Sequence, residues 1–192
     1  MVEWKIADRI SAMSTICAVL VFLFGIYEYK SSENWKRSEF VAEQIKEFNS
    51  DKINQSVLLL MDYDPVRMDL FPDKPNLKNR YVDVGLETLV TAISKDNNFS
   101  SVELQIREYF EHLMIWLRRF DYFIVSGAIE PKELCADFGY PIDLMNGSAR
   151  DLNYKNTGID IATFSKGVQE YLTRWQETEI LHFMQKIHKA CG

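Results

Sequence analysis

The feature that most constrains this chain is an uncharged apolar run near its N-terminus. From Ile10 to Tyr27 the sequence contains no Asp, Glu, Lys or Arg. The run is about 18 residues, which as an α-helix would be roughly 27 Å long and close to the hydrocarbon thickness of a bilayer. Aromatic residues of the kind found at membrane–water interfaces flank it on both sides: Trp4, Tyr27, Tyr29 and Trp35. The run therefore predicts a single transmembrane helix.

Two other interpretations of the run fit the sequence less well. A cleaved signal peptide needs a small-residue cleavage site, whereas this segment ends in Gly-Ile-Tyr-Glu-Tyr-Lys-Ser-Ser-Glu. A buried core helix of a soluble protein rarely runs this long without a charge. We therefore divide the chain into a transmembrane helix with its flanks, residues 1–30, and a soluble domain, residues 31–192.

The orientation of the helix is predicted from charge and from cysteine usage. The basic residues before the run are Lys5 and Arg9, and those after it are Lys30, Lys36, Arg37 and Lys46. The excess of basic residues after the run places the soluble domain in the cytoplasm. The three cysteines, Cys17, Cys135 and Cys191, show no paired spacing and are expected to be free thiols, which suits a reducing compartment. We expect a bacterial inner-membrane protein with a cytoplasmic domain.

One face of the predicted transmembrane helix carries small or weakly polar side chains. Alternating spacings of four and three residues align these positions: Ala7, Ser11, Ser14, Ala18, Val21 and Gly25. In lipid, small residues allow helices to approach closely, and hydroxyl groups can form hydrogen bonds between helices. The stripe predicts self-association or a narrow pore, although such residues are also common in transmembrane helices that do not associate.

The rest of the chain is predicted to be mainly α: a helical-bundle domain with a small β-hairpin insertion. A helix over residues 33–48 follows the span, and Asn49-Ser50-Asp51 is expected to end it and to cap the next helix. Short alternating patterns over residues 66–84 predict the hairpin. Ser100-Ser101-Val102-Glu103 forms a capping box that opens the longest soluble helix. A final helical stretch is predicted from about residue 161 to residue 190.

The soluble domain carries no recognisable catalytic or metal-binding motif. Glu179 and His182 have the Glu-x-x-His spacing of di-iron bundles, but the second copy that such a site needs is missing. The net charge of −6 argues against sequence-independent binding to long nucleic acids. We therefore expect no enzyme activity, no catalytic residues, no cofactor and no metal site.

The strongest polar cluster is basic and lies on the long helix. Arg107, Trp116, Arg118 and Arg119 are expected to bind a nucleotide or a short nucleic acid, together with Lys74, Lys78 and Arg80 from the hairpin connection. Arginine pairs with phosphate through two parallel hydrogen bonds, and aromatic rings stack on bases. The alternative is that these arginines form salt bridges with Glu111, Asp121 and Glu130.

Four segments resemble a family of small bacterial membrane proteins that have one N-terminal span and a helical domain. They are residues 35–48, 60–65, 110–114 and 126–130, which read WKRSEFVAEQIKEF, LMDYDP, FEHLM and SGAIE. This resemblance implies the architecture and carries over no catalytic residue. The architecture is also similar to that of membrane effectors of anti-phage defence, such as the Hailong-type effector. That similarity implies a soluble sensor for a nucleotide or oligonucleotide and spans that assemble into a pore.

These observations predict an oligomeric membrane effector or ion channel of bacterial anti-phage defence, gated by a ligand. Its expected partners are the lipid bilayer, further copies of the chain, a nucleotide or short nucleic acid, and a protein encoded nearby. The alternative is a membrane-tethered adaptor, in which the domain binds a partner protein and the helix only sets the location.

Overall fold

The computed structural model is mainly helical and contains one small antiparallel sheet. It describes residues 2–63, 65–72, 76, 80–94, 96–148 and 161–192, and for residues 2–10 and 12 it describes the backbone alone. The elements are α1 (Val2–Ser50), α2 (Lys52–Asp62), β1 (Val66–Asp69), β2 (Tyr81–Val84), α3 (Leu86–Ser94), α4 (Ser101–Val125), a 3-10 turn (Pro131–Leu134), α5 (Cys135–Asn146), α6 (Ile161–Arg174) and α7 (Thr178–Cys191). The predicted fold class is confirmed.

The chain forms two compact units, Met1–Glu43 and Gln44–Gly192. The first unit consists of α1 up to Glu43 and contains the apolar run. That part of the helix is long and apolar enough to cross a membrane, and none of its most apolar window is buried inside the protein. Large side chains such as Phe22 and Phe24 are more than half exposed there. Such an exposed apolar surface is typical of helices that contact a membrane or another protein.

The second unit is a helical bundle built around α4. This helix packs against α2, α3 and α7, while α5 packs against α7 and α6 against α3. Six phenylalanines have almost no exposed surface and form the centre of the core: Phe48, Phe110, Phe120, Phe138, Phe164 and Phe183. They come from five different helices, so the core fixes how those helices are arranged.

Local signals explain where the best-defined elements begin. Asp51 caps α2, since its Oδ1 accepts hydrogen bonds from the backbone N–H groups of Ile53 and Asn54. At the start of α4, the Ser100 hydroxyl accepts from the N–H of Glu103, and the Glu103 carboxylate accepts from the N–H of Ser100. Both caps confirm the sequence-based predictions.

The predicted hairpin is also present. β1 and β2 pair antiparallel, with Val66 opposite Val84 and Asp69 opposite Tyr81. Two strands are too few to be stable alone. The hairpin is attached to the bundle by the hydroxyl of Tyr109 on α4, which donates to the backbone oxygen of Asp69 at 3.2 Å.

The final helical stretch is two helices rather than one. α6 ends at Arg174 and α7 begins at Thr178. Gln176 adopts a left-handed conformation with φ of 56°, and the N–H of Glu177 donates back to the carbonyl of Leu172 at 2.9 Å. This is a Schellman ending, which usually has glycine at the left-handed position. The sequence pattern does not mark this break, because the residue in the left-handed position is glutamine.

The expectation of three free thiols is also wrong. Cys135, at the start of α5, and Cys191, at the end of α7, form a disulfide with their Cα atoms 5.4 Å apart. Cys17 is the free cysteine. A separation of 56 residues carries no sequence signal, because only the packing of α5 against α7 brings the two sulfurs together.

Candidate functional site

The predicted basic cluster is divided between two faces of α4. Arg107 and Arg118 lie on the face that meets α6 and the start of α7, whereas Trp116 and Arg119 lie on the side that meets the end of α1. A helix turns by 100° per residue, so the neighbours Arg118 and Arg119 point in clearly different directions. The predicted cluster therefore consists of two separate groups of side chains on different faces of α4.

Arg107 and Arg118 line a pocket of about 410 Å³. Its other lining residues combine two carboxylates with aromatic and aliphatic side chains: Glu111, Met114, Ile115, Tyr171, Trp175 and Glu177. A volume of this size is within the range of small-molecule sites, which run from roughly 300 to 1,000 Å³. The two arginines and two glutamates balance in charge, so the pocket suits a ligand that presents one anionic group together with polar and planar groups.

Arg107 is the buried cation at the base of this pocket. Its Nε donates to Glu111 Oε1 at 2.9 Å, and its guanidinium carbon lies 5.0 to 5.6 Å from the ring centres of Phe99, Tyr171 and Trp175. Its side chain is only 10% exposed. Arg107 therefore shapes the pocket wall, and its guanidinium is largely occupied by its own neighbours.

Tyr171 is tied to the same carboxylate. Its hydroxyl donates to Glu111 Oε1 at 3.2 Å. Burial, and then the negative charge of Glu111, raise the pKa of Tyr171 well above its ordinary value. The phenol therefore stays protonated at physiological pH and acts as a hydrogen-bond donor in the pocket.

Arg118 is the accessible cation of the pocket. Its Nη2 donates to Glu177 Oε1 at 3.1 Å, while 45% of the Arg118 side chain remains exposed. Glu177 directly follows the left-handed Gln176, and Trp175, which is half exposed, directly precedes it. The α6–α7 turn thus places the Glu177 carboxylate on Arg118 and the Trp175 ring in the same pocket, next to Arg107. Sequence reasoning missed Tyr171, Trp175 and Glu177, because nothing in the pattern predicts that this turn lies against α4.

The opposite side of α4 holds the end of α1. The Arg119 guanidinium donates to both carboxylate oxygens of Glu47 at 3.2 and 3.3 Å and stacks 4.6 Å from the Trp116 ring centre. Phe48 has its ring centre 5.7 Å from that of Trp116, in an edge-to-face arrangement. These contacts fix the last turns of α1 to α4.

A second link joins α4 to the α1–α2 junction. Oδ2 of Asp51 lies 2.7 Å from His112 Nε2 and accepts from Trp116 Nε1 at 3.4 Å. Burial alone would raise the pKa of Asp51, but the hydrogen bond with His112 and those from two backbone N–H groups outweigh it and lower that pKa. The carboxylate is thus held in its charged form at the junction.

Of the hairpin residues of the predicted set, Arg80 is described by the structure, and it does not line the pocket. Arg80 forms a bidentate ion pair with Asp69 across the end of the hairpin. This hydrogen bonding lowers the pKa of Asp69 and raises that of Arg80. Lys74 and Lys78 lie outside the described residues.

The salt bridges proposed as the alternative are present in part. Arg107 pairs with Glu111 as expected, but Arg118 and Arg119 pair with Glu177 and Glu47. Asp121 pairs instead with Lys186 at 2.7 Å, and Glu130 pairs with Lys132 at 2.8 Å. The arginines are therefore ion-paired within the domain, and an anionic ligand has to compete with a carboxylate for Arg118.

The small-residue stripe of the span is exposed from Ser11 onward. Ser14, Ala18, Val21 and Gly25 all lie on the surface of the first unit, and a Cβ atom added to Gly25 would meet no heavy atom within 4 Å. The side chain of Ala7 is outside the described residues. The stripe is thus free to approach a further helix.

Among the residues that the structure describes, no three His, Cys, Asp or Glu side chains are grouped so that they could hold a metal ion. No family model, curated protein or solved structure matches the chain. The resemblance to small bacterial membrane proteins therefore stays a prediction, and any function has to be argued from the site itself.

Proposed function

We propose that this protein is an oligomeric membrane effector or ion channel, in which a small ligand bound to the soluble domain controls the association or opening of the membrane helices. The pocket beside Arg118 is the observation that carries the proposal. It combines an exposed guanidinium, a half-exposed tryptophan and two carboxylates in about 410 Å³. A role in anti-phage defence belongs to this proposal and rests on similarity of build.

The ligand we propose is a single nucleotide or the end of a short oligonucleotide. Trp175 offers a face for a base, Glu111 and Glu177 can accept hydrogen bonds from its amino groups, and Arg118 can bind a phosphate. Because Arg118 already pairs with Glu177, a phosphate would have to displace that carboxylate. Binding would therefore disturb the α6–α7 turn.

α4 provides a path from this pocket towards the membrane helix. One of its faces carries Arg107 and Arg118, and the other contacts Glu47 and Phe48 near the end of α1. A ligand that favours one position of α4 would thereby act on α1. The ligand must bind the two states with different affinities for this to occur.

The test for self-association uses leucine substitutions in the span. Ser14→Leu with Ala18→Leu places bulky side chains on the small-residue face and should convert a defined oligomer into monomers, as measured by native mass spectrometry in mild detergent. The matched control is Ile16→Leu with Leu20→Ile on the opposite face, which keeps the oligomer. A wild-type protein that is monomeric in detergent and does not conduct in planar bilayers would refute the proposal.

The test for the ligand compares two arginines. Arg118→Gln should abolish binding of nucleoside monophosphates or short single strands, measured by calorimetry on the full-length protein. Arg174→Gln is the control, since Arg174 pairs with Asp96 and does not line this pocket. Equal binding by both variants would place the ligand elsewhere.

A tethered adaptor is the second candidate, favoured by the exposed apolar side chains of α4. Ile115, Tyr122 and Val125 are each more than half exposed and are spaced by seven and three residues, which places them along one side of the helix. An adaptor would keep its function when the span is replaced by a scrambled apolar helix of equal length, whereas the effector would lose it.

A further inference from the structure

The disulfide between α5 and α7 bears on which side of the membrane the soluble domain occupies. Cys135 and Cys191 are both in this domain and bond to each other, and the remaining cysteine, Cys17, lies in the apolar segment of α1. We propose that the soluble domain faces an oxidising compartment outside the cytoplasm, which is the reverse of the orientation that the charges favour.

The chemistry of the bond requires such a compartment. Joining two thiols as a disulfide releases two protons and two electrons, and the electrons pass to an oxidant by exchange through a mixed disulfide. Outside the cytoplasm, dedicated disulfide-exchange oxidants accept these electrons, whereas cytosolic glutathione and thioredoxin return them and keep thiols reduced.

The position of the bond strengthens this requirement. Cys191 is exposed and Cys135 is half-buried, so the bond lies near the surface of the domain. An accessible disulfide persists only where the surroundings are oxidising. Cys17 lies in the uncharged run of α1, away from aqueous thiols. It serves as an internal control, because it is expected to remain a thiol.

The opposing charge signal is weak. The positive-inside rule counts basic residues within about 15 to 20 positions of a span. Lys30, Lys36 and Arg37 fall clearly within that distance on one side, and Lys5 and Arg9 do so on the other. The side that follows the span therefore has only one basic residue more than the side that precedes it. Lys46 is left out of this comparison because it lies at the limit of the range. A covalent bond in the folded domain outweighs this difference.

The inference depends neither on the pore nor on the identity of the ligand. It concerns only the side of the membrane on which the soluble domain lies, and it can therefore be confirmed or refuted independently of the proposed function. If it holds, the ligand of the Arg118 pocket reaches the domain from outside the cytoplasm.

Thiol trapping on the full-length protein in its own host tests the inference. Cells are quenched with acid so that thiols and disulfides are preserved, and the denatured protein is then treated with a maleimide–polyethylene glycol reagent that adds a fixed mass per thiol. We expect one adduct without reduction, at Cys17, and three after reduction. The control variant Cys17→Ser should give none and two.

Reporter fusions at the C-terminus give an independent reading of orientation. Alkaline phosphatase becomes active only after export to an oxidising compartment, and green fluorescent protein fluoresces when it folds in the cytoplasm. We expect an active phosphatase fusion and a dark fluorescent fusion. Three adducts without reduction, or a fluorescent fusion with an inactive phosphatase, would overturn the inference.

Discussion

Replacing Asp51 tests how the end of α1 is held against the bundle. Its carboxylate caps α2 through two backbone N–H groups and also contacts His112 and Trp116. Losing an N-cap carboxylate costs typically about 1 kcal/mol and up to about 2. The contacts with His112 and Trp116 are partly exposed and add less than about 1 kcal/mol together. Asp51→Ala should therefore lower the free energy of unfolding by about 2 kcal/mol at neutral pH.

The loss should depend on pH in a defined direction. The pKa of Asp51 is lowered from its ordinary value of 3.8 in the folded protein, so its stabilising effect is fully present above that value. The effect disappears as the pH falls through the folded-state pKa, because the carboxyl group is then protonated in both states. The difference in stability between wild type and Asp51→Ala should therefore be present at neutral pH and shrink below about pH 4.

The measurement is denaturant unfolding of the full-length protein in mild detergent, followed by tryptophan fluorescence at neutral and acidic pH. Asp51→Ser is the matched control, since its hydroxyl can still cap α2 but is too short to reach His112, and it should cost less than about 1 kcal/mol. His112→Ala completes a double-mutant cycle. A loss below about 0.5 kcal/mol for Asp51→Ala, or a loss that does not change with pH, would refute this account of the junction.

Three further predictions can be checked by the same unfolding measurements. Phe48→Ala removes a fully buried ring and should cost about 3 to 5 kcal/mol, whereas Tyr122→Ala, at a side chain that is 68% exposed, should change stability by less than about 0.5 kcal/mol; equal effects would contradict the packing. Gln176→Gly relieves a left-handed conformation and should raise stability by about 0.5 to 1 kcal/mol, and a loss would mean that the turn has another geometry. Reducing the Cys135–Cys191 bond, whose residues are 56 positions apart, should lower stability by about 4 kcal/mol on the chain-entropy model, and no change would show that the bond does not form.

The parts of the fold that the sequence predicts are those with strong local signals. Asp51 and the capping box at Ser100 each place a hydrogen-bond acceptor within three residues of the donor it satisfies. The apolar run of α1 is likewise a local property, because its length and lack of charge are sufficient to predict a helix that is long and apolar enough to cross a membrane. The hairpin follows from alternation over four residues in each strand.

The parts that the sequence does not predict depend on packing between distant segments. The break between α6 and α7 lacks the glycine that usually marks it, so the periodic apolar pattern reads through Gln176. The disulfide depends on the docking of α7 against α5. Trp175 and Glu177 join the pocket only because that turn lies beside α4.

The division of the arginines follows from helix geometry and decides how the site should be tested. Since Arg118 and Arg119 are adjacent, a sequence window treats them as one basic cluster, but on α4 one faces the pocket and the other faces Glu47. A variant that removes both would alter the proposed ligand contact and the attachment of α1 together, and its phenotype would be ambiguous. Changing Arg118 alone alters the pocket and leaves the bond between Arg119 and Glu47 in place. Single substitutions on the two faces of α4 can thus separate the proposed ligand contact from the attachment of the end of α1.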